Sequence, residues 1–203
     1  GVPGTPVQLT TSGLQALGRF EQNVLASSYG AEIFQLNPQV TLTPATLTGF
    51  SGVNAFYAEP PYLYALNTNA NTLVVLEQRG GSAEVGWGFE SVGEVSTGEN
   101  TSPQAAVRVG ERLYVPLYGN YMGDPSLGQK VAVFDVTDRA APVRVPAEDI
   151  ELGGLDLQPY DGQSPLPAPY GIVEFNGNLY LPLNSLTPIT FAGAGLTQAR
   201  DAP

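Results

Sequence analysis

The chain has 203 residues, 42% of them hydrophobic, with 24 Gly, 18 Pro, no Cys and no His. That length buries a core without covalent staples, and the missing Cys and His exclude thiolate nucleophiles, Cys/His metal centres, haem attachment and Ser-His-Asp triads. Acidic residues outnumber basic ones 19 to 8, Lys130 is the only lysine and the arginines are scattered singly, so neither nucleic acid nor an anionic membrane finds its cluster of cations.

The chain opens Gly1-Val2-Pro3-Gly4, which reads as a mature or trimmed segment. No apolar run approaches the about 20 residues of a transmembrane helix, so no membrane insertion is expected. A surface poor in lysine and rich in Thr, Asn and Gly places the expectation at an exported protein: extracellular, at the cell surface or periplasmic.

Residues 1–17 read as an N-terminal segment and 18–203 as repeats. Helical periodicity fails over 13–21, the one stretch that invites it, so a loop or strand is expected there. Val24-Leu25-Ala26-Ser27-Ser28 and Ile33-Phe34-Gln35-Leu36 follow as short strands, then Leu63-Tyr64-Ala65-Leu66-Asn67 and Leu73-Val74-Val75-Leu76. Such β-branched and aromatic runs, bounded by Gly, Asn, Asp, Ser or Pro, are the pattern of strand and turn. Trp87 is either a packing anchor between units or a stacking platform, and 91–95 reads as a further strand. Downstream strands are expected at 103–109, 113–117, 131–134 and 142–145, with a tight turn at Thr137-Asp138-Arg139-Ala140.

Self-similarity organises these runs. Pro103-Gln104-Ala105-Ala106-Val107 with Leu113-Tyr114-Val115-Pro116-Leu117 matches Pro169-Tyr170-Gly171-Ile172-Val173 with Leu179-Tyr180-Leu181-Pro182-Leu183 at a constant offset of 66. Leu63 precedes Leu113 by 50 and follows Val24 by 39, so four anchors stand near 24, 63, 113 and 179. Four short antiparallel strands per unit of about 40 to 65 residues, repeated, is the pattern of β-propeller blades. The expected fold is all-β: propeller blades of four antiparallel strands in an incomplete ring, with a β-sandwich as the alternative. At offset 66 Asp201 falls on Asp135, so the chain is expected to stop within a blade, as part of a longer polypeptide or completed by another chain.

At these residues the chain resembles the YVTN-type seven-bladed β-propeller repeats, which are similar to lactonase-like propellers. Thr97-Gly98 to Pro103, the Leu113 run and 130–135 fill the places of that repeat, as do 71–77 one unit earlier, and the resemblance covers about residues 18 to 185. It implies a non-catalytic interaction or scaffold domain of an exported or cell-surface protein. The alternative it implies is part of a lactonase-like or other hydrolase propeller whose active site lies largely outside this segment, which offers only Gln104, Arg108, Glu174 and nearby carboxylates on inner strands. Pro116 and Pro182 depart from the repeat; unable to donate to a ladder, each must face away from a partner or sit at a strand end or bulge.

Two connections are long, the hairpin that contains 118–125 and the link at 155–167. In an up-and-down blade both emerge on one face, which then is a binding face; accumulation of loop length without a role is the alternative, since it costs little. Tyr118, Tyr121, Asp124, Tyr160, Asp161 and Tyr170 are the candidate binding residues, the rigid amphipathic tyrosine ring suiting protein or sugar contacts. Tyr64, Tyr114 and Tyr180 recur at one repeat position and read as core. The acids Asp135/Asp138, Glu148/Asp149/Glu151 and Asp156/Asp161 lack EF-hand spacing and read as solvated loop acids, with Asp138 in an Asx turn. Ala192-Gly193-Ala194-Gly195 lacks the pattern of a nucleotide loop. No catalytic residue, metal or cofactor is assigned; the expected partner is a protein or the remainder of the propeller, or a glycan.

Overall fold

The structure, a computed structural model, describes residues 14–21, 23–28, 33–36, 42–48, 53, 55–82, 86–119, 128–153, 155 and 166–186. No α-helix occurs among them. The chain divides into unit 1, residues 1–95 with 139–141, and unit 2, residues 96–138 with 142–203.

In unit 1 the first sheet is antiparallel, in the order β1 (Leu14–Phe20), β2 (Asn23–Ser28), β3 (Ile33–Leu36), β4 (Leu42–Pro44). The stretch without helical period is therefore a strand, and β1 runs across position 18, where the repeats were expected to begin. The second sheet contains β6 (Ala55–Glu59), β7 (Tyr62–Asn67), β8 (Thr72–Ser82) and β9 (Gly86–Ser96), hydrogen-bonded in sequence order. The strand expected at 91–95 is the second half of β9. A short β5 (Thr46–Thr48) adds to the outside of β9 in parallel.

Strand alternation sends Leu63 and Tyr64 of the anchor to opposite faces of the second sheet, here termed the leucine face and the tyrosine face. Buried Leu63, Ala65, Val74 and Leu76 of the leucine face join buried Phe20, Leu25 and Ile33 of the first sheet in one core with Val53, Phe56, Trp87 and Phe89. Leu25 holds the place of Tyr64 in its own anchor, so the first sheet meets the second with its tyrosine face. Each fully buried aliphatic or aromatic side chain contributes about 1.5–3 kcal/mol. Phe20 packs edge-on to Phe89 at 5.3 Å and tilted on Trp87 at 5.9 Å, which makes Trp87 a packing anchor. Gly18 faces the ring of Phe56 so closely that any Cβ would collide with it. On the other face of β7, Tyr64 stacks on Tyr57 and its Oη donates to the Arg139 carbonyl at 3.2 Å.

In unit 2 the third sheet has the order β10 (Val107–Val109), β11 (Arg112–Leu117), β12 (Lys130–Asp135), β13 (Val143–Arg144), and β14 (Ile150–Glu151) pairs with the same edge of β12 as β13. The fourth strand is thus split. Between the pairs Phe134↔Arg144 and Val131↔Ile150, two residues on β12 face five on the edge, and the three in excess form a 3-10 turn, Pro146–Glu148.

The last repeat reproduces the third sheet rung by rung. β16 (Val173–Phe175) pairs with β17 (Asn178–Tyr180) in the register of β10 on β11, each partner shifted by 66. The bridge Pro103↔Leu117 likewise recurs as Pro169↔Leu183, inside the ladder of β15 (Leu166–Pro169) with β18 (Leu183–Leu186). In both repeats three residues of the first strand, Gln104 to Ala106 or Tyr170 to Ile172, face two of the second: Val115 and Pro116, or Leu181 and Pro182. This is a β-bulge, so the expected continuous strand at 103–109 is broken, and each proline lies in it as its missing N–H requires. The proline carbonyl still accepts: Gln104 N–H donates to Pro116 at 3.3 Å and Tyr170 N–H to Pro182 at 3.2 Å. The third sheet packs through Val107, Tyr114 and Val131 of its tyrosine face on Leu179, Leu181 and Ile172.

Candidate interaction site

Both long connections leave the third sheet at one end. β11 stops at Leu117 and β12 starts at Lys130; β14 runs antiparallel to β12, and Leu152 N–H donates to the Gln129 carbonyl at 2.8 Å. At this end the chain beyond β11 stays in register with 101–104: Tyr118 N–H donates to Ser102 and Gly119 N–H to Thr101, at 3.2 and 2.9 Å. The buried Thr101 is fixed by a 2.7 Å hydroxyl contact with Thr97. Gly128 lies against the backbone of Tyr118 and Gly119, where any Cβ would collide, so the two ends of the 120–127 loop are held together.

Of the candidate residues, the structure brings Tyr118 and Tyr170 together, with ring centroids 5.8 Å apart and edge to face. Tyr118 is half-buried and Tyr170 exposed. Each ring is set by a backbone hydrogen bond of its own repeat, Tyr118 to Ser102 and Tyr170 to Pro182. Tyr121, Asp124, Tyr160 and Asp161 lie outside the described residues, as do Asp156, Asp201 and 192–195.

The acids at the other end of the sheet are paired. Arg112 donates from Nε and Nη2 to Glu148 at 2.7 and 2.9 Å, a two-pronged contact, and from Nη1 to Asp135 at 2.7 Å. The bond to Glu148 holds the guanidinium above its usual range and Glu148 below the usual carboxylate range. Asp135 is also held low, first by the Thr137 backbone N–H, then by the Thr137 hydroxyl, and after these by Arg112. That N–H reaches Asp135 Oδ1 at 2.9 Å, an Asx turn at Asp135. The Asp149 side chain is buried and forks onto Arg144, whose guanidinium lies 5.3 Å from the Phe134 ring centre. Asp149 Oδ1 also accepts the Val133 N–H at 3.3 Å, replacing the carbonyl of the interrupted edge strand. Lys130, at the loop end, adds weaker contacts to Asp149 and to Glu151 opposite it. The reading of these acids as solvated loop acids is therefore corrected for Asp135, Glu148 and Asp149, which are held in ion pairs, whereas Glu151 is exposed as expected. A signal existed in the sequence: Arg112 stands opposite Asp135, and Lys130 opposite Glu151, once the strands are paired. Among the described residues no cluster of three or more acids is arranged to hold a metal ion.

Arg108 and Glu174, placed on inner strands by the sequence, occupy equivalent positions and brace their own hairpins. Arg108 Nε donates to the Gly110 carbonyl at 2.7 Å, and Glu174 accepts from Gly177 N–H at 2.6 Å.

No protein-family model and no curated protein matches this chain. Solved structures do. A chain of the complex of S. cerevisiae Dbp5 with Nup159, Gle1, IP6 and ADP superposes with a TM-score of 0.51 at 14% identity, over 86% of this chain and 48% of that one. BamB from Moraxella catarrhalis gives 0.50 at 10% identity, over 86% and 48%. The fold is that of β-propeller blades. The computationally designed Ika4 protein gives 0.47 at 12% identity, over 88% of this chain and 99% of that one. This chain spans about half the length of the two natural proteins. Among the described residues no strand joins the last sheet to the first.

Proposed function

We propose that this chain is a non-catalytic interaction or scaffold domain of an exported protein, binding a protein partner through the loop end of its third sheet. The observation that carries the reading is the Tyr118/Tyr170 pair: two repeats contribute one ring each, at the end from which both long connections depart. An edge-to-face pair held by backbone ladders is ordered before binding, so a partner pays little to immobilise it, and tyrosine is among the residue types that dominate interface energies. In the yeast complex Dbp5 is bound to Nup159, which supports a protein as partner. A lysine-poor, cysteine-free acidic composition supports export.

A photo-crosslinking residue at position 170 in the native extract tests this, with position 110, at the opposite end of β10, as control. A discrete protein adduct at 170 and none at 110 is expected. In the purified pair, Tyr118→Ala with Tyr170→Ala weakens binding by tenfold or more, about 1.4 kcal/mol, with the melting temperature held. Equal adducts at both ends, or none at 170, overturns the reading.

A further inference from the structure

The loop end of the third sheet combines its two tyrosines with an excess of negative charge. The turn that leads into it is fixed: Thr101 Oγ1 donates to the Gly98 carbonyl at 3.1 Å, and the Thr101 carbonyl accepts Gly119 N–H, one residue from Tyr118. Glu99 and Asn100 stand exposed on that turn. Across the same end, the Glu151 side chain is 70% exposed. The described cations of unit 2 do not balance these acids. Arg108 is held by the Gly110 carbonyl, Arg112 by Glu148 and Asp135, and Arg144 by Asp149, while Lys130, which does stand at the loop end, already faces Asp149 and Glu151. The two connections that depart here, 120–127 and 152–165, carry Asp124, Asp156 and Asp161 in sequence and contain neither Arg nor Lys.

We infer, resting on the loop end as the binding surface proposed above, that the protein segment it receives is basic and lays an arginine side chain on the Tyr170 ring. A phenol ring carries negative potential on its face and attracts a guanidinium, which is planar and weakly hydrated and so stacks there readily. Tyr170 is 52% exposed, and its edge-to-face contact with Tyr118 holds the ring in place, so the platform exists before a partner arrives. Acids around the ring, rather than on it, raise the local concentration of a basic segment and repel one that bears phosphate or carboxylate groups. A neutral partner would use the rings and leave the acids without a role.

The test is the binding of a fluorescent hexa-arginine peptide to the 203-residue chain, read by anisotropy, against a hexacitrulline peptide of the same side-chain shape and no charge. The arginine peptide is expected to bind, less tightly as salt rises, and the citrulline peptide is not. Because any chain of formal charge −11 attracts a polycation, the variants decide. Tyr170→Leu is expected to weaken binding about threefold, whereas Tyr170→Phe keeps the ring and leaves it unchanged. Glu99→Gln is expected to weaken it about twofold, and more than Glu111→Gln, which removes the same charge at the opposite end of the sheet, where β10 turns into β11. All of these positions are exposed, so each variant is expected to keep the wild-type melting temperature. Equal binding of the two peptides, an affinity that Tyr170→Leu does not change, or a Glu111→Gln loss as large as that of Glu99→Gln overturns the inference. The crosslink at position 170 separates it from the reading on which it rests. The adducted segment of the partner is expected to contain arginine. An adduct on a segment without arginine overturns the inference alone and leaves the loop-end function standing, and no adduct at 170 overturns both.

Discussion

Asp149 replaces, with a side chain, the carbonyl that an uninterrupted edge strand would offer to Val133. Removing it strands a largely buried guanidinium and a backbone N–H together. Asp149→Ala is expected to cost about 3–5 kcal/mol, read from the urea midpoint, whereas Asp149→Asn keeps an acceptor and costs less. Arg112 gives a pH signature. Glu148 and Asp135 titrate below their usual values when folded, so their contribution is complete above the ordinary carboxylate range and is lost as pH falls through the depressed values. Acid unfolding followed by circular dichroism should therefore move to higher pH in Arg112→Met, and the loss of stability, read as a lower melting temperature, is largest near neutrality and shrinks as pH falls through the depressed values. None of this pairing could be read from the sequence as loop acids. It becomes visible once register places Arg112 opposite Asp135, and register depends on a ladder that local composition does not define.

The repeat offset of 66 carried more than the existence of strands. Because Val173 takes the partner that Val107 takes, and Pro169 the partner of Pro103, the same bulge and the same proline carbonyl acceptor recur. What stayed hidden were features with no copy to compare: the parallel β5 on the outside of β9 and the 3-10 turn that splits the fourth strand of the third sheet. That turn breaks an otherwise continuous edge and presents Pro146 and Glu148 there, both devices that discourage pairing with a foreign strand. Deleting 146–148 removes the three excess residues and straightens the edge register. The expected result is concentration-dependent aggregation, measured by light scattering, where the intact chain stays clear. Of the candidate site, tyrosine placement was legible because Tyr118 and Tyr170 flank strands with readable anchors. Their mutual contact was not, since it joins two repeats in space.

Across the molecule, burial is uneven. β7, β8, β11 and β12 are central strands rich in fully buried residues, while β16 and β17 form a two-stranded sheet with one open face. Hydrogen exchange should follow this order, slowest in the four central strands and fastest in β16 and β17; uniform protection would contradict it. The abutting backbones of Gly119 and Gly128 have another consequence. Where a chain leaves and re-enters a sheet at abutting backbones, the cost of closing an insert between them rises slowly with its length: doubling that length adds only about 0.6 kcal/mol of closure entropy. A reporter peptide or a small foreign domain spliced between them should leave the blade's melting unchanged, so this junction is a natural grafting port through which new specificities can be installed on an unaltered scaffold.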